Sequence, residues 1–208
     1  MLKTFKIQLS GQVQGVGFRP FVFNLAHEHQ LKGTVSNNAK GVLILVNGTS
    51  VALMNFRDDI LEKAPDAAII QSHTMDEIES MEFESFSIVP SQKTDKVAIP
   101  LTADFAICNS CKKEIQDPNN RRYQYAFTTC TQCGPRYAIT QKFPFERAHT
   151  TMNQFSMCEN CVIEYENPKD SRFHSQTNSC DDCGITMQLI TNSGEPIHLE
   201  NERELLSR

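Results

Sequence analysis

Apolar residues alternate at Phe5, Ile7 and Leu9, so residues 3–10 predict a strand. Gly11, Gly15 and Gly17 then punctuate a loop. Phe18, Phe21, Val22, Leu25 and Ala26 recur at helical spacing and predict a helix to about His29. Residues 33–37 read as a short extended segment, and Asn38-Ala39-Lys40-Gly41 reads as a turn. The run Val42-Leu43-Ile44-Leu45-Val46 predicts a strand closed by Asn47-Gly48. A second helical stripe follows at Leu53, Phe56, Ile60, Leu61 and Ala64, and residues 67–74 and 83–89 supply two more extended segments. The order β-α-β-β-α-β predicts a ferredoxin-like sandwich, with two helices on one face of an antiparallel sheet.

Beyond Pro90 the periodicity stops. The stretch Pro90-Ser91-Gln92-Lys93-Thr94-Asp95-Lys96 is polar and patternless, so residues 1–90 read as one domain and 91–104 as a linker. All eight cysteines lie between Cys108 and Cys183, and residues 105–186 form a second, cysteine-rich domain with an internal repeat. A shift of 50 residues carries Cys108, Cys111, Glu114, Pro118, Arg122, Cys130, Cys133 and Gly134 onto Cys158, Cys161, Glu164, Pro168, Arg172, Cys180, Cys183 and Gly184. Tyr123 falls on Phe173. In the tail, residues 187–191 and 196–199 read as the arms of a hairpin around Asn192-Ser193-Gly194-Glu195, and Asn201 is placed to cap a helix carrying Leu205 and Leu206. A helix that short does not hold itself together. Residues 187–208 are therefore read as the start of a further, truncated domain, and the chain as the front end of a longer protein. The fold class expected is α+β, a ferredoxin-like sandwich followed by a small domain of two four-cysteine units.

The cysteine spacing is C-x2-C-x18-C-x2-C-x24-C-x2-C-x18-C-x2-C. Each Cys-x-x-Cys turn offers two sulfurs to one tetrahedral ion, and two such turns close a shell with no open position. Soft thiolates favour zinc over magnesium or calcium. The repeat suggests Cys108, Cys111, Cys130 and Cys133 on one zinc ion and Cys158, Cys161, Cys180 and Cys183 on the other; a crossed pairing of first with last is sterically conceivable. Iron, or an iron–sulfur cluster, is an alternative occupant. Four pairs in a repeat do not match a thioredoxin-type redox motif. Gly134 and Gly184, each directly after a pair, suit backbone of positive φ. With eight thiolates filling two shells, neither His149 nor His174 is needed as a ligand, and His174 is expected at a surface or interface.

The 208 residues carry a formal charge of −5, with 39% hydrophobic and 22% charged side chains. Two tetrathiolate zinc sites would add about −4 to that. The acidic balance argues against nucleic acid as a partner. The first residues hold no long apolar segment, and no apolar run approaches a membrane span, so no membrane association is expected and a cytoplasmic location is. Disulfides fit poorly with that compartment.

The segment Gly11-Gln12-Val13-Gln14-Gly15-Val16-Gly17-Phe18-Arg19-Pro20 joins a strand to a helix. Glycines permit a tight loop whose amide N–H groups point inward, and the helix adds its positive N-terminal end. Such a nest suits a dianionic phosphoryl group, across which Arg19 can fork. Gln14, Gly15, Val16, Gly17, Phe18 and Arg19 are thus the candidate phosphate loop. The bland alternative is a plain glycine-rich turn with a surface arginine.

The pattern Gly11-x-Val13-Gln14-Gly15-Val16-x-Phe18-Arg19 resembles the signature of the acylphosphatase family, and residues 34–41, Thr-Val-Ser-Asn-Asn-Ala-Lys-Gly, resemble its second motif. The resemblance implies that Arg19 binds the phosphoryl group and that Asn37 positions the attacking water in hydrolysis of a carboxyl-phosphate anhydride. Together with the eight cysteines, Asp117-Pro118-Asn119-Asn120-Arg121-Arg122-Tyr123, Cys130-Thr131-x-Cys133-Gly134-Pro135-Arg136-Tyr137 and Arg172-Phe173-His174, the chain is similar to the N-terminal part of the HypF family, the carbamoyltransferases of NiFe-hydrogenase maturation. That resemblance implies cleavage of carbamoyl phosphate to carbamate and phosphate. ATP-dependent activation and transfer to the C-terminal cysteine of HypE, for synthesis of the cyanide ligand, would follow in later domains of the full-length family protein. The alternative function is a catalytically weak zinc-containing docking module for HypE or for those later domains. Pro20 departs from many free-standing acylphosphatases.

Overall fold

The computed structural model describes residues 2–90, 104–134 and 136–197. The expected linker, apart from Asp104, and the expected helix at Asn201 lie outside the described residues.

Residues 2–90 form a five-stranded sheet with two helices. The elements in chain order are β1 (Lys3–Gln12), α1 (Phe18–Glu28), β2 (Lys32–Asn38), β3 (Gly41–Gly48), α2 (Ser50–Glu62), β4 (Ile69–Ile78) and β5 (Phe86–Ile88). The sheet order β4-β1-β3-β2-β5 contains the expected ferredoxin-like arrangement. β1 pairs antiparallel with β3 and β4, and β2 antiparallel with β3. The expectation of a wholly antiparallel sheet fails at one edge: β5 runs parallel to β2, with Gly33 opposite Phe86 and Val35 opposite Ile88. That short strand covers an edge of β2 that would otherwise offer unpaired backbone groups.

The core follows the sequence pattern. Ile7 and Leu9 of β1, Val35 of β2, and Val42, Ile44 and Val46 of β3 are buried against Phe18, Val22, Leu25 and Ala26 of α1 and Leu53, Phe56 and Ile60 of α2. Thr49 caps α2 by accepting a hydrogen bond from the Ala52 amide at 3.3 Å. The β1–β4 register shifts between Ser10 and Gly11, where Gly11 adopts φ +115° and a Cβ would fall 2.2 Å from the Ile69 carbonyl oxygen. This glycine starts the loop that leads into α1.

Residues 104–197 contain two eight-residue helices, α3 (Asn109–Gln116) and α4 (Glu159–Glu166), and are otherwise short 3-10 turns and loops. Each helix starts directly after the first cysteine of its repeat, Cys108 and Cys158. The buried apolar cluster of the first repeat is Cys111, Cys130 and Cys133, flanked by Ile107 and Cys108. A module with so little aliphatic core needs another source of cohesion.

Two arginines supply part of it by crossing between the repeats. Arg122 of the first repeat, 2% exposed, donates to Glu164 of the second at 2.8 Å, to the Ser179 carbonyl at 2.9 Å and to Asn178 Oδ1 at 3.0 Å. Its repeat mate Arg172 donates to Glu114 of the first repeat and to the Thr129 carbonyl at 3.1 Å. Arg122 is 3.6 Å from Cys161 Sγ, and Arg172 is 3.9 Å from Cys111 Sγ. Each guanidinium thus lies beside the other repeat's cysteines. The 50-residue correspondence also holds in backbone geometry: Gln124 and His174, equivalent positions, both adopt positive φ, at 58° and 52°. Their amides bond the equivalent carbonyls of Ile115 and Tyr165.

Gly134 has φ +71°, but Gly184 is not among the residues of positive φ. Its constraint is space, since a Cβ at Gly184 would lie 2.1 Å from the Tyr125 hydroxyl oxygen. In the tail, Ile190 bridges Pro196 and the Ile197 amide donates to the Leu189 carbonyl at 2.8 Å, closing a short hairpin without extended strands.

Replacing Arg172 with alanine leaves Glu114, three-quarters buried, without its cross-repeat partner. The expected loss of stability is about 3 kcal/mol, the low end for breaking a buried pair because Glu114 keeps some contact with water. Denaturant titration of the Arg172→Ala and Arg122→Ala variants measures it; a change below 0.5 kcal/mol, the ordinary scale of surface substitutions, would contradict the cross-repeat role.

Candidate functional site

The loop between β1 and α1 folds around two glycines of identical backbone sign. Gly15 and Gly17 each adopt φ +74°, and Gly17 is the N-cap of α1 without any side-chain cap. The first helical carbonyl bond runs from the Phe21 amide to Gly17 at 3.0 Å. Pro20 carries no amide hydrogen. Among the described residues, the amides of Gly15, Val16, Gly17, Phe18 and Arg19 find no backbone acceptor. A left-handed glycine on each side of Val16, with amides lacking backbone acceptors and a helix N-terminus, makes a concavity of the kind that suits an anion.

Not every residue of the expected loop faces that concavity. Gln14 turns its side chain into the scaffold and donates to the carbonyls of Asn38 at 2.9 Å and Gly41 at 2.8 Å. It thereby ties the loop to the β2–β3 turn. Val16 is fully buried in the core, as is the Phe18 ring, which packs edge-on against Phe21 at 5.7 Å. Gly15, Gly17, Phe18, Arg19 and Asn37 line a cleft in front of the loop.

Asn37 lies on β2, two residues after the core residue Val35 and on the same face. It is 1% exposed, and neither its amide nitrogen nor its amide oxygen has a hydrogen-bond partner. An unsatisfied buried amide costs about 1–3 kcal/mol. The Arg19 side chain is 11% exposed, and its burial pulls the guanidinium below its ordinary pKa while Glu146 opposes the shift. The Glu146 carboxylate accepts from Arg19 Nη1 at 3.2 Å, across 127 residues of sequence.

Glu146 belongs to the cysteine-rich module, and so does most of the opposite wall: Cys130, Thr131, Gly134, Phe145 and residues 174–177. The module docks on α1. Phe23 packs against Phe173 with ring centroids 5.2 Å apart and the rings tilted by 59°, and Asn24 donates to the Pro168 carbonyl at 3.1 Å. A Cβ on Gly17 would stand 3.0 Å from the Thr131 Cβ, so the second module closes tightly on the loop. The cavity left between them is about 30 Å³. His174 is held among Tyr165, Phe173 and the cleft, with its pKa lowered to about 4 by burial and by the Arg19 charge. It is the interface residue the sequence pointed to. Glu146, Phe145 and Thr131 carried no signal of their own; the departure of the second repeat from the first at position 174, histidine for Gln124, was the visible clue.

The eight sulfurs gather as Cys108, Cys111, Cys130 and Cys133 and as Cys158, Cys161, Cys180 and Cys183, each set within 4.8 Å. All eight are free thiols. Neighbouring sulfurs lie 3.6 and 3.9 Å apart in the first set and 3.6 to 3.7 Å in the second. A tetrahedral zinc with bonds of about 2.3 Å would require edges of about 3.8 Å, so both sets fit the ion. Amides aim at the sulfurs, from Cys108 to Cys133 Sγ at 3.4 Å and from Cys111 to Cys108 Sγ at 3.5 Å. The second set receives more cationic character: Arg121 approaches Cys161 Sγ at 3.0 Å and Cys158 Sγ at 3.7 Å. Burial raises the Cys158 thiol, but the Cys161 amide and Arg121 outweigh it and bring it to about 6. Among the described residues, no helix is long and apolar enough to cross a membrane.

Comparison with known proteins agrees with this geometry. The acylphosphatase family matches residues 5–88, and the HypF finger matches twice, at residues 107–140 and 157–190. The carbamoyltransferase HypF of Synechocystis sp. is 40% identical over 152 residues, which is 73% of this chain and 20% of that protein. An acylphosphatase of Staphylococcus aureus is 33% identical over 78 residues, 38% of this chain and 88% of that protein. A crystal structure of full-length HypF in the phosphate- and nucleotide-bound form superposes with a TM-score of 0.83 at 42% identity, covering 88% of this chain and 24% of that one. The chain thus spans about a fifth of the length of the HypF relative it matches.

The unpaired amide of Asn37 makes a prediction about stability alone. Asn37→Leu, close in shape and apolar, should stabilise the fold by about 1 kcal/mol, because it removes a buried amide without partners. Thermal or denaturant unfolding checks this, and a clear destabilisation would mean that the amide has a structural partner.

Proposed function

The chain belongs to the acylphosphatase family through residues 5–88 and to the HypF family by its paired fingers, and from that premise we propose that it hydrolyses carbamoyl phosphate to carbamate and phosphate. The observation that carries this reading is the meeting, in one cleft, of loop amides without backbone acceptors, the Arg19 guanidinium and the orphaned Asn37 amide. The phosphoryl group sits in the loop, with its oxygens on the amides and on Arg19. Asn37 holds the water through an uncharged group that both donates and accepts, so it repels neither anion. As the water oxygen bonds to phosphorus, the bond from phosphorus to the bridging oxygen breaks, carbamate leaves as the anion, and the protons of the water remain on the released dihydrogen phosphate. Carbamate is already a good leaving group, so positioning and charge stabilisation carry the rate. In the full-length family protein, carbamate would then be activated with ATP and passed to the C-terminal cysteine of HypE by later domains.

We further propose one zinc ion in each cysteine set. Closed shells of four thiolates leave no position for substrate, so the ions act as scaffold. Their role is to hold the module that forms the far wall of the cleft.

Arg19→Ala should abolish phosphate release from carbamoyl phosphate, with a loss of about a hundredfold or more, while the circular dichroism spectrum stays unchanged. Wild-type turnover in that variant would overturn the site assignment. Elemental analysis of the purified chain should find two zinc ions per molecule, and their removal by a strong chelator should unfold residues 104–197. Iron in their place, or a chelator-treated chain with unaltered stability, would overturn the zinc assignment.

A further inference from the structure

The cleft is built from two modules, and the side facing the anion loop comes from the second. Gly15, Gly17, Phe18, Arg19 and Asn37 occupy one face; Thr131, Phe145 and residues 174–177 occupy the other. A phosphoryl group held by the loop must present whatever it carries to that second face. The face carries two rings, Phe145 and His174, among small polar side chains, and both are held in place. Phe145 is 4% exposed, and His174 is braced by rings at 5.0 Å (Tyr165) and 4.6 Å (Phe173). Gln176 bonds the His174 carbonyl, and its own oxygen accepts from the Arg147 amide at 2.8 Å, so the segment has no slack. At about 30 Å³ the cavity is far below the roughly 300–1,000 Å³ of a drug-sized ligand site.

We propose, resting on the acyl-phosphate reading above, that the second finger repeat supplies the specificity wall of this site, with His174 as the residue that limits the acyl group to a small one. His174 occupies a left-handed backbone position, φ 52°, which its repeat mate fills with Gln124, a residue that does not line the cleft. The repeat therefore explains the backbone but not the ring; the ring is what this copy adds, and it is placed against the anion loop. Neutral imidazole suits the position, because a second cation beside Arg19 would be repelled. A sandwich domain without the second module would lack this wall and leave the acyl side open to solvent.

The test compares acetyl phosphate with benzoyl phosphate as substrates of the whole chain, by kcat/KM from phosphate release. His174→Gly removes the ring at a backbone position glycine favours, and His174→Asn, which also tolerates positive φ, serves if the glycine variant does not fold. The wild-type chain should favour acetyl phosphate by about tenfold or more, and the variants should lose most of that preference by gaining activity on benzoyl phosphate. Inhibition by inorganic phosphate should stay unchanged, since the loop is untouched. A preserved substrate ratio with intact phosphate inhibition would overturn the inference while leaving the acyl-phosphate reading in place. Failure of the wild-type chain to hydrolyse either compound would overturn that reading and the inference with it.

Discussion

Residues 104–197 depend on two guanidinium groups exchanged between two copies of one motif. Arg122 reaches Glu164 and Arg172 reaches Glu114, each beside the other copy's sulfurs. Where an aliphatic core is thin, buried charge with complete hydrogen bonding gives the module a single arrangement. The link to the site is short. Arg172 is followed directly by Phe173, which packs on α1, and by His174, which enters the cleft. Fixing one buried arginine therefore fixes the docking contact and the far wall of the cleft together.

The first module makes a complementary contribution. Its sheet and helices bury an ordinary apolar core, and that core anchors the loop through Val16 and Phe18 while Gln14 ties it to the β2–β3 turn. Attachment on three sides holds the loop in place while the amides of residues 15–19 keep no backbone acceptor. Asn37 is held there by strand alternation, at a cost in unsatisfied hydrogen bonding. Such a residue makes sense as part of a preorganised site, where the cost is recovered when water or ligand occupies it.

Much of this was legible in the chain. Periodicity located β1, α1, β3 and α2 because each buries a regular apolar face. The 50-residue repeat marked out Arg122, Arg172, Glu114 and Glu164 before any role for them was apparent. Other features had no local signature. β5 runs parallel to β2 because of the path the chain takes from the far edge of the sheet, a tertiary matter that three residues of strand do not encode. Gly184 looks the same in sequence as Gly134, yet only Gly134 adopts a positive φ; a Cβ would collide at both, with the Phe105 ring at Gly134 and with the Tyr125 hydroxyl at Gly184. Glu146 lies in the loop between repeats and meets Arg19 only through domain docking.

The exchanged arginines also say something about symmetry. When position i of one copy touches position j of the other, and j touches i, the contact is self-complementary in the sense used for two-fold dimers. Here that dimer is folded into a single chain, which frees its halves to diverge. They have done so at the cleft, where His174 stands in place of the other copy's Gln124, and at the second sulfur cluster, where Arg121 has Ser171 as its counterpart. A closed pair of identical fingers would have offered the same face twice; fusion let one face be given over to the neighbouring domain.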